Sequence, residues 1–168
     1  MGINSANNSV DPPTSPLDKV TVREAIYDKF IIRLDNGSFI SEYTKEIAKL
    51  INNISIEDLE RQFTNTHQFE LSQEMLRLAT TPKSLGFLPH DSKNYTTDSV
   101  ILETALPLAL VGSCISHTDI ATYNNTSDYL MLAGATHGRT LKDFVEIGGN
   151  YSGGVIGPKT RLVLETIG

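Results

Sequence analysis

Apolar and polar residues alternate along much of the chain with a period of three to four residues, the spacing of amphipathic helices. The first such stripe follows a Thr21–Glu24 capping box, in which the threonine hydroxyl and the glutamate carboxylate satisfy free backbone N–H groups. Its apolar positions recur at every fourth residue: Val22, Ile26, Phe30 and Leu34. We therefore predict a helix from about residue 21 to residue 34, ended by Asp35-Asn36-Gly37.

The same segment admits a second interpretation, a β-hairpin near 30–43, because the Asn36-Gly37 pair favours a type I′ turn. A half-buried strand would alternate apolar and polar residues, whereas Ile31 and Ile32 are both apolar. The helical stripe continues through both positions, so the helix is the preferred prediction.

The pattern predicts further short helices downstream, each with an apolar stripe and a local signal at one end. Thr140 is a suitable N-cap for the segment LKDFVEI, and Pro158 suits the first position of the final helix. The predicted helices run from about Ser38 to Asn52, from Ser55 to about Phe63, from Phe69 to Thr80, from Thr140 to Gly148 and from Pro158 to Ile167.

The longest apolar run, Val100–Ser116, predicts a buried central helix that begins near Thr97 or Asp98. Pro107 lacks a backbone donor and is expected to kink this helix. A helix that crosses a membrane needs about 20 predominantly apolar residues, and this run is shorter and contains Glu103. We therefore expect no membrane insertion.

Together these elements predict a mainly α fold: a single-domain, irregular bundle of about seven or eight short helices around the buried apolar helix. Residues 17–168 form this helical domain, with 82–96 as an irregular connection. Residues 1–16 are predicted to be a flexible N-terminal tail, because three prolines and a run of Asn and Ser bury too little apolar surface. The alternative is an α+β fold with the hairpin near 30–43 and a C-terminal strand in the β-branched segment TRLVLETI.

The composition excludes several classes of function. The 168 residues carry 14 Lys and Arg against 20 Asp and Glu, a formal net charge of −6, and no basic block. No nucleic-acid binding is expected, because such proteins gain affinity by neutralising phosphates with a basic face. The single cysteine, Cys114, cannot form an intramolecular disulfide, and residues 1–16 lack the pattern of a secretory signal, so a cytoplasmic location is expected.

The glycine-rich segment 148–157 suggests a phosphate-binding loop, but it lacks the P-loop pattern G-x-x-x-x-G-K-[ST]. Pro158 stands where the second glycine belongs, and proline has no N–H to donate to a phosphate. Only eight residues follow Thr160, too few for a nucleotide-binding domain. A looser anion site at the start of the final helix, with Lys159 and Arg161, stays open.

A second candidate ligand site lies at the turn 134–142, where His137, Arg139 and Lys142 cluster near a predicted helix start. Free N–H groups and the helix dipole favour anions at such a position. Together with Lys159, these residues could bind a small anionic ligand in a pocket between this turn and the glycine-rich 148–157 loop.

No catalytic site, metal site or cofactor is predicted. Cys114, His117 and Asp119 are close in sequence, but a cysteine that follows an apolar run is typical of a buried small hydrophobe. The four histidines show no H-x-x-x-H or H-E-x-x-H spacing, and neither His67 nor His90 is well placed to ligate haem.

The sequence therefore predicts a non-enzymatic protein–protein interaction or assembly module, such as an adaptor, a chaperone or a structural subunit. Its expected partner is another protein or a second copy of the chain. The alternative is a small anionic-ligand binder, or an enzyme, with its pocket between the 134–142 turn and the 148–157 loop.

Overall fold

The computed structural model describes residues 25–51, 55–105, 115–134, 137–149, 151–152 and 156–168. Short 3-10 turns occur at Asp28–Phe30, Phe63–Asn65 and Tyr129–Met131. The strands are β1 (Ile31–Arg33), β2 (Leu85–Phe87) and β3 (Val100–Ile101). The helices are α1 (Ser41–Ile51), α2 (Ile56–Gln62), α3 (His67–Ala79), α4 (Tyr95–Asp98), α5 (Ile120–Tyr123), α6 (Leu141–Ile147) and α7 (Pro158–Ile167).

The strands form one antiparallel sheet in the order β1-β2-β3. All three residues of the central strand are buried, as expected where both faces of a sheet are covered. Gly86 suits its position, because a Cβ there would lie 2.7 Å from the Leu34 side chain. The paired residues are Ile31 with Phe87, Ile32 with Gly86, Arg33 with Leu85, Gly86 with Ile101 and Phe87 with Val100.

The central strand carries the middle of the hydrophobic core. Phe87 is fully buried, and its ring lies against those of Tyr27 and Phe30, with centroids 4.9 and 5.4 Å apart. Burying a side chain of this kind contributes about 1.5–3 kcal/mol. The other buried residues of the core come from the sheet, its continuation and three helices: Ile31, Leu78, Leu85, Val100, Leu102, Tyr123 and Val163.

Four of the predicted helices, near α1, α3, α6 and α7, are confirmed, and a fifth corresponds to α2. α1 packs against α3. Local signals fix several helix ends: the Thr66 side chain accepts from the N–H of Phe69, Thr140 and Asp143 form a capping box, and Pro158 occupies the first turn of α7. The Thr140 cap and the position of Pro158 were predicted from the sequence, because they depend on neighbouring residues, whereas α3 begins two residues before the predicted Phe69.

The mainly α fold expected from the sequence is wrong, because the chain has an α+β fold. The predicted helix 21–34 fails in its described part, where a 3-10 turn at Asp28–Phe30 leads into β1. Ile31 and Ile32, the consecutive apolar residues that favoured a helix, are both buried in a strand covered on both faces. Gly37, at a φ of +77°, turns the chain so that Ile32 bridges Phe39.

The central helix expected over Val100–Ser116 is also wrong where the structure describes that segment. Val100–Ile101 form β3, and the N–H of Leu102 donates to the carbonyl of Leu85 at 3.0 Å. Leu85 belongs to the segment expected to be an irregular connection, which supplies the central strand instead. Residues 106–114 of the expected helix, and the tail 1–16, lie outside the described residues.

The C-terminal strand of the alternative fold is wrong as well, because residues 158–167 form α7.

Thr118 forms an antiparallel bridge to Leu102 and a parallel bridge to Leu132, so three segments remote in sequence lie side by side there. This arrangement places the 3-10 turn Tyr129–Met131 near the core.

Among the residues that the structure describes, no helix combines the length and the apolar character that a bilayer crossing requires.

Candidate functional site

An apolar groove lies between the 3-10 turn Tyr129–Met131 and α6. We call it the α6 groove. Its cavity measures about 220 Å³. The groove is lined by Tyr129, Leu130, Leu132, Gly134, Leu141 and Phe144.

The floor of the α6 groove is a pair of stacked aromatic rings. The centroids of Tyr129 and Phe144 lie 4.5 Å apart, with an angle of 18° between the ring planes. Both side chains are buried, whereas Leu130 and Leu141 keep 49% and 57% of their surface exposed. The groove therefore has a buried aromatic floor and two accessible aliphatic side chains.

The sequence of α6 explains part of this geometry. Its capping box holds the first turn of the helix, where the Thr140 hydroxyl accepts from the N–H of Asp143 and the Asp143 carboxylate accepts from the N–H of Thr140. Leu141 and Phe144 are three positions apart, and residues at this spacing share one helix face. Both are therefore presented to the same groove.

One cation lies beside the groove, next to Phe144, without lining the groove itself. The Arg139 guanidinium carbon is 5.9 Å from the centroid of the Phe144 ring, within the range of a cation–π interaction. Its Nη1 donates to the Asn125 side-chain oxygen at 3.4 Å, the long end of hydrogen-bond distances.

Arg139 differs from the other described arginines in its partners. Arg33, Arg61, Arg77 and Arg161 each form an ion pair with a carboxylate. Within the described ranges, no carboxylate lies within 4.0 Å of the nitrogen atoms of Arg139. Its guanidinium therefore keeps most of its donors free for an incoming acceptor.

The carboxylates near Arg139 are already engaged. Asp143 accepts hydrogen bonds from the N–H and the hydroxyl of Thr140 at 2.6 and 2.8 Å. These bonds hold the pKa of Asp143 below its ordinary value, and the charge of Arg139 adds to the effect. Glu146 lies 3.7 Å from the ammonium of Lys142.

The four residues predicted to bind an anionic ligand have different surroundings in the structure. His137 is exposed, Arg139 lies over Phe144, and Lys142 points its ammonium to Glu146. Lys159 is engaged elsewhere: its ammonium donates to the carbonyls of residues 97, 98 and 99 at 3.0–3.3 Å, at the end of α4. Part of the 148–157 loop lies outside the described residues, so the pocket predicted there stays a prediction.

A larger and more polar groove, of about 500 Å³, lies between residues 89–92 and α7. His90 and Asp91 line it 2.9 Å apart, but both side chains are mostly exposed, at 74% and 98%. Asp98 and Lys159 also line it, and both are engaged by neighbouring backbone. Among the described residues, no three His, Cys, Asp or Glu side chains gather as a metal site would require.

Three carboxylates are buried, which the sequence analysis did not predict: Glu103, Asp119 and Asp128. Glu103 accepts from the N–H groups of Ala105 and Ile120, at 2.8 and 3.0 Å. Asp119 accepts from the N–H of Thr122 as the N-cap of α5. All three accept backbone N–H groups, which is a structural use. The described contacts of Asp119 are with Thr122 and Lys83, whereas Nδ1 of His117 lies 3.1 Å from the Ser116 hydroxyl. Cys114 lies outside the described residues.

A family model described as SPBPB7E8-like matches residues 10–168. The chain belongs to this family. The SPBPB7E8-like match spans the sheet, all the described helices and the α6 groove. No curated protein and no solved structure matches the chain.

The sequence did not predict that Tyr129, Leu130 and Leu132 form part of the site. The available signal was the apolar run YLMLAGA directly before the turn that carries Arg139. Such a run is compatible with a buried core segment, and only its position against α6 leaves Leu130 exposed.

Proposed function

We propose that this protein is a non-enzymatic interaction module that binds another protein through the α6 groove. The observation that carries the proposal is the stacked pair Tyr129–Phe144 under two exposed leucines, with Arg139 over the ring of Phe144. Aromatic and arginine side chains dominate the binding energy of protein interfaces. Apolar side chains gathered around one surface pocket are typical of such interfaces.

The occupant that we propose is a short segment of a different protein. A stable dimer of two folded chains buries at least about 1,000 Å² of surface in total. The exposed apolar side chains of the α6 groove are Leu130 and Leu141, too little surface for such a dimer, and its cavity of about 220 Å³ has room for one apolar side chain of a short segment. The protein would thus act as an adaptor, a chaperone or a structural subunit. The single cysteine supports a cytoplasmic location.

A small anionic ligand at the turn 134–142 is the second candidate. It is supported by the exposure of His137 and by the free donors of Arg139. A thermal-shift screen with phosphorylated metabolites tests it, because a ligand that binds only the folded state raises the melting temperature. The second candidate requires an increase in the wild type that Arg139→Gln abolishes.

The substitution Leu141→Asp tests the proposed interaction. It places a charge on the groove at the first position of α6, where an acidic residue favours the helix, so the fold is expected to persist. Leu76→Asp is the matched control, because Leu76 is an exposed leucine on α3, with 45% of its surface accessible.

The full chain and both variants are immobilised and exposed to a lysate of the native organism, and the retained proteins are quantified by mass spectrometry. The strongest partner is then purified and titrated calorimetrically. We expect Leu141→Asp to weaken its binding by at least about tenfold, the effect of one hot-spot residue, and Leu76→Asp to leave it unchanged. Equal binding by all three chains would overturn the proposal, as would a self-dimer in light scattering that Leu141→Asp disrupts.

A further inference from the structure

The position of Arg139 indicates the chemistry of the segment that the α6 groove binds. Its guanidinium lies over the Phe144 ring, and its one described hydrogen bond is the long contact with Asn125. A guanidinium presents five N–H donors in a planar fork that matches the two oxygens of a carboxylate. Most of these donors have no acceptor among the described residues.

The surroundings do not supply the missing acceptor. Asp143 is bonded to Thr140, and Glu146 pairs with Lys142. The chain as a whole carries a net charge of −6, yet the segment 137–142 contributes one arginine, one lysine and one histidine. The charge of Arg139, which has no carboxylate partner among the described residues, is therefore complementary to an acidic group on a partner.

The guanidinium also contacts the ring of Phe144, at 5.9 Å from its centroid. Its planar fork is pre-organised, so little side-chain freedom is lost for each hydrogen bond that it forms with a carboxylate. Phe144 lines the α6 groove and Arg139 does not, so a carboxylate bound by Arg139 would lie at the edge of the groove, beside the apolar side chain that occupies it.

Resting on the function proposed above, we propose that the α6 groove recognises a short segment with one apolar anchor next to an aspartate or glutamate. The anchor occupies the space between Tyr129, Leu130 and Leu141, and the carboxylate pairs with the guanidinium of Arg139. A cavity of about 220 Å³ equals roughly seven waters at about 30 Å³ each, which suits one apolar anchor side chain.

A random-peptide display library, selected on the full chain, tests this inference without knowledge of the natural partner. The wild type is expected to enrich peptides with an apolar residue next to Asp or Glu. Arg139→Gln is expected to keep the apolar preference and lose the acidic one. Arg61→Gln is the matched control, because Arg61 is an exposed arginine on α2 that pairs with Asp58, and it is expected to select like the wild type.

A selected acidic peptide and its Glu→Gln or Asp→Asn analogue are then titrated against each chain. The acidic peptide should bind the wild type about tenfold more tightly than its neutral analogue, and added salt should reduce the difference. Arg139→Gln should bind the two peptides equally.

The outcomes separate this inference from the function on which it rests. Peptides that require Leu141 but show no acidic preference would refute the role of Arg139 and leave the groove as an interaction site. An acidic preference that persists in Arg139→Gln would refute it equally. If Leu141→Asp still binds every peptide that the wild type selects, or if the wild type selects none, the proposed function itself is overturned.

Discussion

The carboxylate of Asp128 accepts a hydrogen bond from the backbone N–H of Thr160 at 2.8 Å, across 32 residues of sequence. α7 begins after Gly157, which has no side chain to cap the helix. Asp128, itself buried, takes over that role from the turn that precedes Tyr129. The start of α7 and the chain that leads into the α6 groove are thereby connected.

The first prediction concerns this connection. Asp128→Ala leaves the buried N–H of Thr160 without an acceptor, which typically costs about 1–3 kcal/mol in the free energy of unfolding. Urea denaturation followed by circular dichroism measures the change. Asp128→Asn keeps an acceptor oxygen and should lose less stability. A loss no greater than that of Asp91→Ala, at an almost fully exposed position, would contradict the capping role.

The second prediction concerns the space at Gly157. A Cβ built there would lie well inside 3.0 Å of both the Asp128 carboxylate and the Ser127 carbonyl, a separation that real Cβ atoms avoid. Gly157→Ala should therefore destabilise the fold by about 1–3 kcal/mol, the usual cost of overpacking. Gly134→Ala is the control, since nothing lies within 4 Å of its Cβ. Equal melting temperatures for the two variants would show that the turn accommodates the added methyl group with no loss of stability, which would contradict the prediction.

The third prediction contrasts two buried tyrosines. The Tyr123 hydroxyl oxygen accepts from the N–H of Ile101 at 3.1 Å, whereas the Tyr129 hydroxyl has no partner among the described residues. Tyr123→Phe should cost about 1–3 kcal/mol because it orphans a backbone donor. Tyr129→Phe should be neutral or stabilising, since it removes an unsatisfied buried polar group. Thermal unfolding of both variants tests the contrast, and the reverse order of stabilities would refute it.

The fourth prediction concerns pH. The Asp98 carboxylate accepts from the N–H groups of Asn94 and Lys93 and from the Thr97 hydroxyl, and the charge of Lys159 lies near. These interactions, led by the bond from Asn94, hold its pKa below its ordinary value. Because the folded state lowers this pKa, the stabilisation is present above the unfolded value of about 3.9 and is lost as the pH falls through the folded value.

Asp98→Asn should therefore lower the urea midpoint at pH 7, and the gap to the wild type should close as the pH falls below about 3.9. Asp91→Asn removes the same charge at a position with 98% of its side chain exposed, and serves as the control. The prediction is contradicted if the difference in urea midpoint between the wild type and Asp98→Asn is the same in neutral and in strongly acidic solution.

The sequence by itself predicted the helices whose determinants are local. The stripes of α1 and α3, the capping box of α6 and the proline that begins α7 all depend on residues within a few positions of each other. It also directed attention to Arg139 through its place before a helix start. What the sequence could not supply was the ring beneath that arginine and the absence of a carboxylate partner within the described residues.

Only the tertiary structure decided the sheet and the groove. β1, β2 and β3 have two or three residues each, too few to show a period, and their hydrogen-bond partners lie far away in sequence. Consecutive apolar residues such as Ile31 and Ile32 fit a helix or a fully buried strand equally well until the partner strand is known. Tyr129 and Phe144 form one floor for the same reason: their contact depends on how remote segments pack, and no local pattern encodes it.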